Sequence, residues 1–218
     1  MKPVNAHLKL QRENAFRHLW NTIANKEYRI GFMATAFMSL GGYLMMPWGS
    51  TYSVNNIGIG QDDLPFLFMI VGVATFAIMP VVGVLSDRID KFKIFVFASI
   101  SMVLAVLIYT NLPKVSLIVL ILVNVFMMMG IMARMVPSQA LTASIPSMKD
   151  RGAFMSINSS LQQMAGGIAA LIGGSIVLQK NTTSPLERFD LLGFVVIAVI
   201  LTNILLTYRV YRFVKNRS

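Results

Sequence analysis

Residues 64–85 read LPFLFMIVGVATFAIMPVVGVL, an apolar run without a single charged side chain. A helix needs about 20 such residues to cross the hydrocarbon core of a bilayer. Apolar residues occupy every side of the run, which is typical of a helix in lipid rather than of an amphipathic surface helix. The stretch therefore predicts a membrane-spanning helix.

Five further apolar runs of similar length lie along the 218-residue chain. They predict spans at 30–52, 94–112, 115–135, 152–178 and 191–208. With 64–85 they make six crossings, so we expect an all-α membrane protein. The predicted organisation is a linker or interfacial segment at 1–29, a six-helix transmembrane domain at 30–213 and a cytoplasmic tail at 209–218.

The overall composition excludes several classes of protein. The chain is 56% hydrophobic and only 13% charged, whereas a soluble domain carries about 25% charged residues. This difference excludes a soluble enzyme and a disordered protein. It contains no cysteine, which excludes a disulfide scaffold, a thiolate metal site and a catalytic thiol. No zinc-protease, phosphate-loop or serine-triad pattern is present, so we predict neither an enzyme nor a bound cofactor or metal.

The basic residues indicate an orientation in the membrane. Of the 19 lysines and arginines, all but Lys114, Lys180 and Arg188 fall in segments that six crossings place on one side. Positive residues are retained on the cytoplasmic side. Both termini are therefore predicted to be cytoplasmic, in a plasma or inner cell membrane. The positive net charge is read as a topology signal, and no nucleic-acid partner is predicted.

Two stretches resemble a known family. Residues 83–93 read GVLSDRIDKFK, which is similar to the cytoplasmic loop signature of the major facilitator superfamily. The stretch departs from that signature at Asp90, where the family usually has glycine. Residues 151–167 read RGAFMSINSSLQQMAGG and resemble the eleventh helix of efflux members, closest to the drug:proton antiporter and sugar-efflux branch.

The resemblance implies a fold and a function. It covers the chain as the C-terminal six-helix half of a twelve-helix transporter, with 15–30 similar to the linker between halves. The six helices then form a 3+3 inverted repeat. The implied activity is export of a small organic solute by alternating access with a second half, which is an upstream segment, a separate chain or a second copy. A non-transporting truncated or accessory membrane protein is the alternative.

The loop signature also suggests gating residues. We expect Asp87, Arg88 and Arg134, with Gly83 allowing close helix approach, to form a cytoplasmic latch beside the start of the fifth span near Gly152. A helix N-terminus favours a nearby carboxylate. The alternative interpretation is that these charges are solvated topology anchors.

Polar residues within the spans are candidates for solute contact. Asn158 and Gln162 lie four residues apart and share a helix face, beside Ser159 and Gln163. Asn124 and Tyr43 complete the predicted set. Helix–helix hydrogen bonding is the alternative role. Close helix packing is predicted for four glycines: Gly166, Gly167, Gly173 and Gly174. No acidic residue lies within a predicted span, so if transport is coupled to protons, the titrating carboxylate is expected in the other half.

Overall fold

The computed structural model describes residues 15–217. The first 14 residues of the predicted N-terminal segment and residue 218 of the predicted tail lie outside this range. The described chain forms eight α-helices: α1 Ala15–Ala24, α2 Lys26–Tyr43, α3 Gly49–Tyr52, α4 Leu64–Arg88, α5 Lys91–Thr110, α6 Leu117–Ala143, α7 Arg151–Ile176 and α8 Phe189–Lys215.

Five helical segments in the described residues are long and apolar enough to cross a membrane. These segments are Lys26–Ile57, Gln61–Arg88, Lys91–Thr110, Leu117–Ala143 and Phe189–Lys215. Each contains most of one predicted apolar run. The remaining predicted span corresponds to α7, which has 26 residues but is not among the five. Its serines and glutamines make it less apolar than the others.

Several helices extend beyond the apolar runs that predicted them. Helix α6 passes through Pro137 and ends at Ala143, so Arg134 lies inside the helix rather than near its end. Helix α8 continues to Lys215 through most of the predicted tail. A helix satisfies its own backbone hydrogen bonds, so it need not stop where the apolar sequence stops.

The chain changes helical form after α2. Pro47 cannot donate a backbone hydrogen bond, and a 3-10 turn at Met46–Trp48 leads into the short α3. A short π-helix at Ser53–Ile57, called the π-turn below, then ends at Gly58, whose φ of 89° lies in the left-handed region that glycine tolerates.

The loop between α7 and α8 is tied to that π-turn. The Asn56 side chain donates to the Leu186 carbonyl at 2.9 Å and accepts from the Leu186 N–H at 2.8 Å. The Tyr52 ring stacks on Phe189 with centroids 4.0 Å apart. These contacts close one end of the bundle.

The long helices pack in a definite set of pairs. Helix α2 packs on α7 and α8, α6 packs on α5 and α4, and α5 packs on α8. Phe154 of α7 is fully buried and stacks on Phe32 of α2 with centroids 4.6 Å apart. This α2–α7 contact positions the polar helix α7 within the bundle.

Candidate functional site

The predicted latch residues of α4 lie at the end of that helix. Asp87 and Arg88 are exposed, and neither makes a hydrogen bond or ion pair within residues 15–217. Gly83 has open space where a side chain would stand, with nothing within 4 Å. The structure does not bring Asp87 and Arg88 together with Arg134.

Asp90, which stands where the family usually has glycine, has a defined role. Its carboxylate caps α5 by accepting from the backbone N–H groups of Phe92 at 2.9 Å and Lys93 at 3.1 Å. It also accepts from the Tyr211 hydroxyl at 2.8 Å, and Phe92 stacks on that tyrosine with centroids 5.1 Å apart. We call Asp90, Phe92 and Tyr211 the α5–α8 clasp.

The clasp lowers the pKa of Asp90. Partial burial alone raises this pKa, but the hydrogen bonds from Tyr211 and from the Lys93 and Phe92 amides, with the Lys93 charge, outweigh it. The ionised carboxylate is therefore the form that the folded clasp favours.

A different carboxylate occupies the start of α7, where Asp87 was expected. Asp150 accepts from the Tyr28 hydroxyl at 2.7 Å and from the Ser147 hydroxyl at 2.9 Å. His18 of α1 lies 3.7 Å from its second oxygen. The Tyr28 hydrogen bond is the main reason why the pKa of Asp150 lies below its usual value. Asp150 thus ties α1, α2 and α7 together.

Arg134 belongs to a buried polar network. Its side chain is 3% exposed; Nε donates to Ser99 Oγ at 3.0 Å and Nη2 donates to Asn203 Oδ1 at 3.4 Å. Asn203 Nδ2 donates in turn to the Ala34 carbonyl at 2.7 Å. The network of Ser99, Arg134 and Asn203 joins α5, α6 and α8 to α2, so Arg134 is enclosed among these helices.

Helix α7 has two faces of different character. Its buried residues are Phe154, Asn158, Ala165, Ala169 and Gly173. The opposite face exposes Ser156, Ser159, Ser160 and Gln163, which follow one another at helical spacing. We call these four residues the polar strip. Polar groups facing lipid are costly, so the strip is unsuited to the hydrocarbon core.

Three of the four predicted solute contacts lie where α2 meets α7. Tyr43 is 37% exposed, and its ring would lie 3.2 Å from a methyl group placed on Gly166. Gln162 is half-buried one turn before Gly166. Asn158 is 5% exposed, and its Oδ1 accepts no hydrogen bond.

The fourth predicted contact, Asn124, lies apart from the others on α6. Its amide donates to the Leu120 carbonyl of the same helix at 2.9 Å. That bond satisfies the side chain locally.

The four predicted packing glycines divide into two pairs. A methyl group on Gly173 would lie 2.9 Å from Trp48 Nε1 and 3.0 Å from the Leu44 carbonyl oxygen, and one on Gly166 would press on Tyr43. A methyl group on Gly167 would have no other atom within 4 Å, and one on Gly174 would lie 3.9 Å from its nearest neighbour, Trp48. Gly166 and Gly173 therefore face α2, whereas Gly167 and Gly174 face outward.

Trp48 is a candidate that sequence reasoning missed. Its indole Nε1 is buried and has no hydrogen-bond acceptor in the described part of the chain. Its one sequence signal is its position directly after Pro47, where α2 gives way to a 3-10 turn. Within residues 15–217 no group of three His, Asp or Glu side chains is arranged to hold a metal ion.

Comparison with known proteins assigns the family. A comparison with curated proteins gives no match. The family model described as Major Facilitator Superfamily matches residues 8–217, nearly the whole chain. The all-helical fold and the five long apolar helical segments agree with that match. The chain therefore belongs to the major facilitator superfamily of membrane transporters.

Proposed function

We propose that this chain is the C-terminal six-helix half of a secondary transporter that exports a small organic solute. It acts by alternating access against a second six-helix half. The observation that carries the proposal is the polar strip, which turns serine and glutamine side chains outward from the long helix α7. Ser160 Oγ donates to the Ser156 carbonyl at 3.1 Å, and the remaining polar groups of the strip suit water or a solute in a pathway that a second half encloses.

The packing pairs support an internal 3+3 repeat. The first triplet is α2, α4 and α5, and the second is α6, α7 and α8. The packing of α2 on α7 corresponds to that of α6 on α4, and the packing of α2 on α8 corresponds to that of α6 on α5. The fifth pair, α5 with α8, joins corresponding helices of the two triplets. Six consecutive crossings place α2 and α6 in opposite directions, so the two triplets are inverted relative to each other. In transporters built from such repeats the solute site lies near the bilayer midplane, which in this proposal is where the two six-helix halves meet.

The unpartnered buried polar atoms favour solute contact on the α2 side of the strip. Asn158 Oδ1 and Trp48 Nε1 each lack a hydrogen-bond partner within residues 15–217. Buried polar groups are normally satisfied. Trp48 adjoins Gly173, which lies about 22 Å along α7 from Asn158. The two atoms therefore suit separate polar contacts, an acceptor for a solute hydroxyl or amine at Asn158 and a donor for a carbonyl at Trp48.

The exposed charges of α4 suit a latch between the two halves. Asp87 and Arg88 have no partner within the described chain, so their partners are proposed on the second half. Breaking such contacts is then part of opening toward the cytoplasm, the side on which we propose that both termini lie. The resemblance to the efflux branch supports export as the direction.

The test is solute flux in reconstituted vesicles. The purified chain is reconstituted into vesicles, either alone or with a co-expressed N-terminal six-helix half. The vesicles are loaded with a panel of labelled amines, sugars and organic anions. Counterflow of at least one solute is expected. A folded protein that moves no solute in either assembly favours the alternative, an accessory or truncated membrane protein without transport.

A mass measurement tests the second half separately. A 24.2 kDa chain extracted in a lipid nanodisc is expected to carry either a second copy or another six-helix chain. A monomeric particle that nevertheless supports flux would contradict the two-half mechanism.

A further inference from the structure

A cleft lies where α2 begins and α8 ends, at one end of the bundle. Its volume is about 450 Å³. The lining combines cations with apolar groups: Lys26, Glu27, Ile30, Arg209, Arg212, Phe213 and Asn216. The cleft lies apart from the polar strip and the predicted solute contacts, and the proposed solute pathway does not use it.

The net charge of the cleft is positive. Lys26, Arg209 and Arg212 are exposed and form no ion pair within the described residues. The single carboxylate, Glu27, is bound by Arg217. Three cations therefore share the cleft with one carboxylate, and that carboxylate is paired with Arg217 from outside the lining.

The helix dipoles contribute little net charge to the cleft. Lys26 is the first residue of α2, and the Asn25 side chain caps the Glu27 N–H at 2.9 Å. The positive end of the α2 dipole and the negative end of the α8 dipole lie at the same cleft and oppose each other, so the side chains set its charge.

The apolar lining shows which kind of anion fits. Ile30 and Phe213 are half-buried, and beyond them α2 and α8 continue into segments apolar enough to cross a membrane. A ligand with a phosphate head and acyl chains would meet cations at the rim and apolar side chains below. A free inorganic anion would leave the apolar part of the cleft unused.

A cleft at the opposite end of the bundle gives a contrast. It is of similar size, about 490 Å³, but it is lined without any lysine or arginine. The positive charge therefore distinguishes the cleft between α2 and α8 from the cleft at the other end of the bundle.

We propose that the cleft between α2 and α8 binds the phosphodiester headgroup of an anionic phospholipid. Basic pockets between membrane helices bind such headgroups, and guanidinium groups form paired hydrogen bonds with phosphate oxygens. The bound lipid joins the first and last membrane helices of the bundle at their shared end.

The test uses the purified full chain in a neutral detergent. Short-chain phosphatidylglycerol, phosphatidylcholine of the same chain length and inorganic phosphate are titrated separately, and binding is read from the unfolding temperature and from native mass spectrometry. Phosphatidylglycerol is expected to bind saturably, at least tenfold more tightly than either other probe. Equal binding of phosphatidylcholine or of inorganic phosphate would overturn the proposal.

Charge removal locates the site. The triple variant Lys26→Gln, Arg209→Gln and Arg212→Gln is expected to weaken phosphatidylglycerol binding at least tenfold. The matched control removes three charges outside the cleft, with Lys91→Gln and Lys93→Gln at the start of α5 and Arg151→Gln at the start of α7; it is expected to change binding less than twofold. Equal weakening of phosphatidylglycerol binding by the two triple variants would show that the cleft is not the binding site.

A single substitution keeps the test decisive if the triple variant does not fold. Arg212→Gln alone is expected to weaken binding about threefold, with the effect diminishing at high salt as screening increases. Unchanged binding by this folded variant would overturn the proposal.

Discussion

Two groups of polar side chains on the long helices differ in how they are satisfied. Arg134 is buried and donates hydrogen bonds to the buried Ser99 and Asn203. The polar strip on α7 faces outward, and of its residues Ser160 is bonded to the Ser156 carbonyl of its own helix. A polar residue on a long apolar helix is therefore not by itself a functional residue, because the enclosed network joins the helices of this chain whereas the strip is proposed to face a solute pathway.

The largest expected effect comes from breaking the enclosed network. Asn203→Leu removes an acceptor of Arg134 and the donor to the Ala34 carbonyl, and leaves a buried guanidinium short of partners. We expect a loss of about 3 kcal/mol in the free energy of unfolding. Unfolding of the purified protein by denaturing detergent measures it.

The matched control for that substitution is Asn124→Leu. This asparagine donates to a carbonyl of its own helix, so its replacement is expected to cost less than about 1 kcal/mol. Equal losses in the two variants would show that the network has no special place in the stability of this half.

The next effect concerns the inner face of α7. Gly173→Ala places a methyl group against Trp48 and the Leu44 carbonyl, and overpacking of this kind costs about 2 kcal/mol. Gly174→Ala makes only an ordinary van der Waals contact, 3.9 Å from Trp48, and is expected to leave the unfolding free energy unchanged or slightly raised, because alanine favours helix. If both variants unfold alike, the two faces of α7 are not distinct.

The outer face of α7 is tested by making it apolar. Ser159→Leu with Gln163→Leu is expected to leave the unfolding midpoint unchanged and to lower solute flux about tenfold, which corresponds to about 1.4 kcal/mol. The control is Val73→Leu with Phe76→Leu on the exposed apolar face of α4, with flux expected within twofold of the unmodified chain. Full solute flux in the double leucine variant would show that the polar strip does not line the pathway.

The smallest effect tests the α5–α8 clasp, which lies outside both groups. Tyr211→Phe removes one hydrogen bond to Asp90 and is expected to cost about 1 kcal/mol at pH 7. Because the folded pKa of Asp90 is lowered, its stabilisation is present above the unfolded pKa and is lost as the pH falls through the folded pKa.

A pH series therefore sharpens the measurement on the clasp. The stability difference between the unmodified chain and Tyr211→Phe is expected to be constant near neutral pH and to shrink on acidification below the ordinary aspartate range. A difference that grows on acidification would contradict the assignment.

The sequence predicted the helical architecture well, because apolar length is a direct physical requirement of a bilayer. The run 64–85 lies within a segment of the described structure that is apolar enough to cross a membrane. The prediction for α7 was less direct, because its polar content lowers its hydropathy. That same polar content is what marks its outer face.

The contacts of individual residues were harder to predict. Arg134 is the clearest example, since its position near the end of the predicted span 115–135 suggested a cytoplasmic latch, whereas α6 continues to Ala143 and Arg134 is buried among other helices. The role of Asp90 depends on Tyr211, which lies 121 residues away in sequence. No local pattern contains such a pairing, so hydrogen bonds between distant helices need the folded chain.

The most direct test of the outward-facing strip uses the absence of cysteine in this chain. Single variants Ser159→Cys and Gln163→Cys on α7, and Val73→Cys and Phe76→Cys on α4, are exposed to a membrane-impermeant thiol reagent in native membranes. A water-filled pathway predicts labelling at both α7 positions and none at the two α4 positions. Unreactive thiols at 159 and 163, or equal labelling at all four positions, would contradict it.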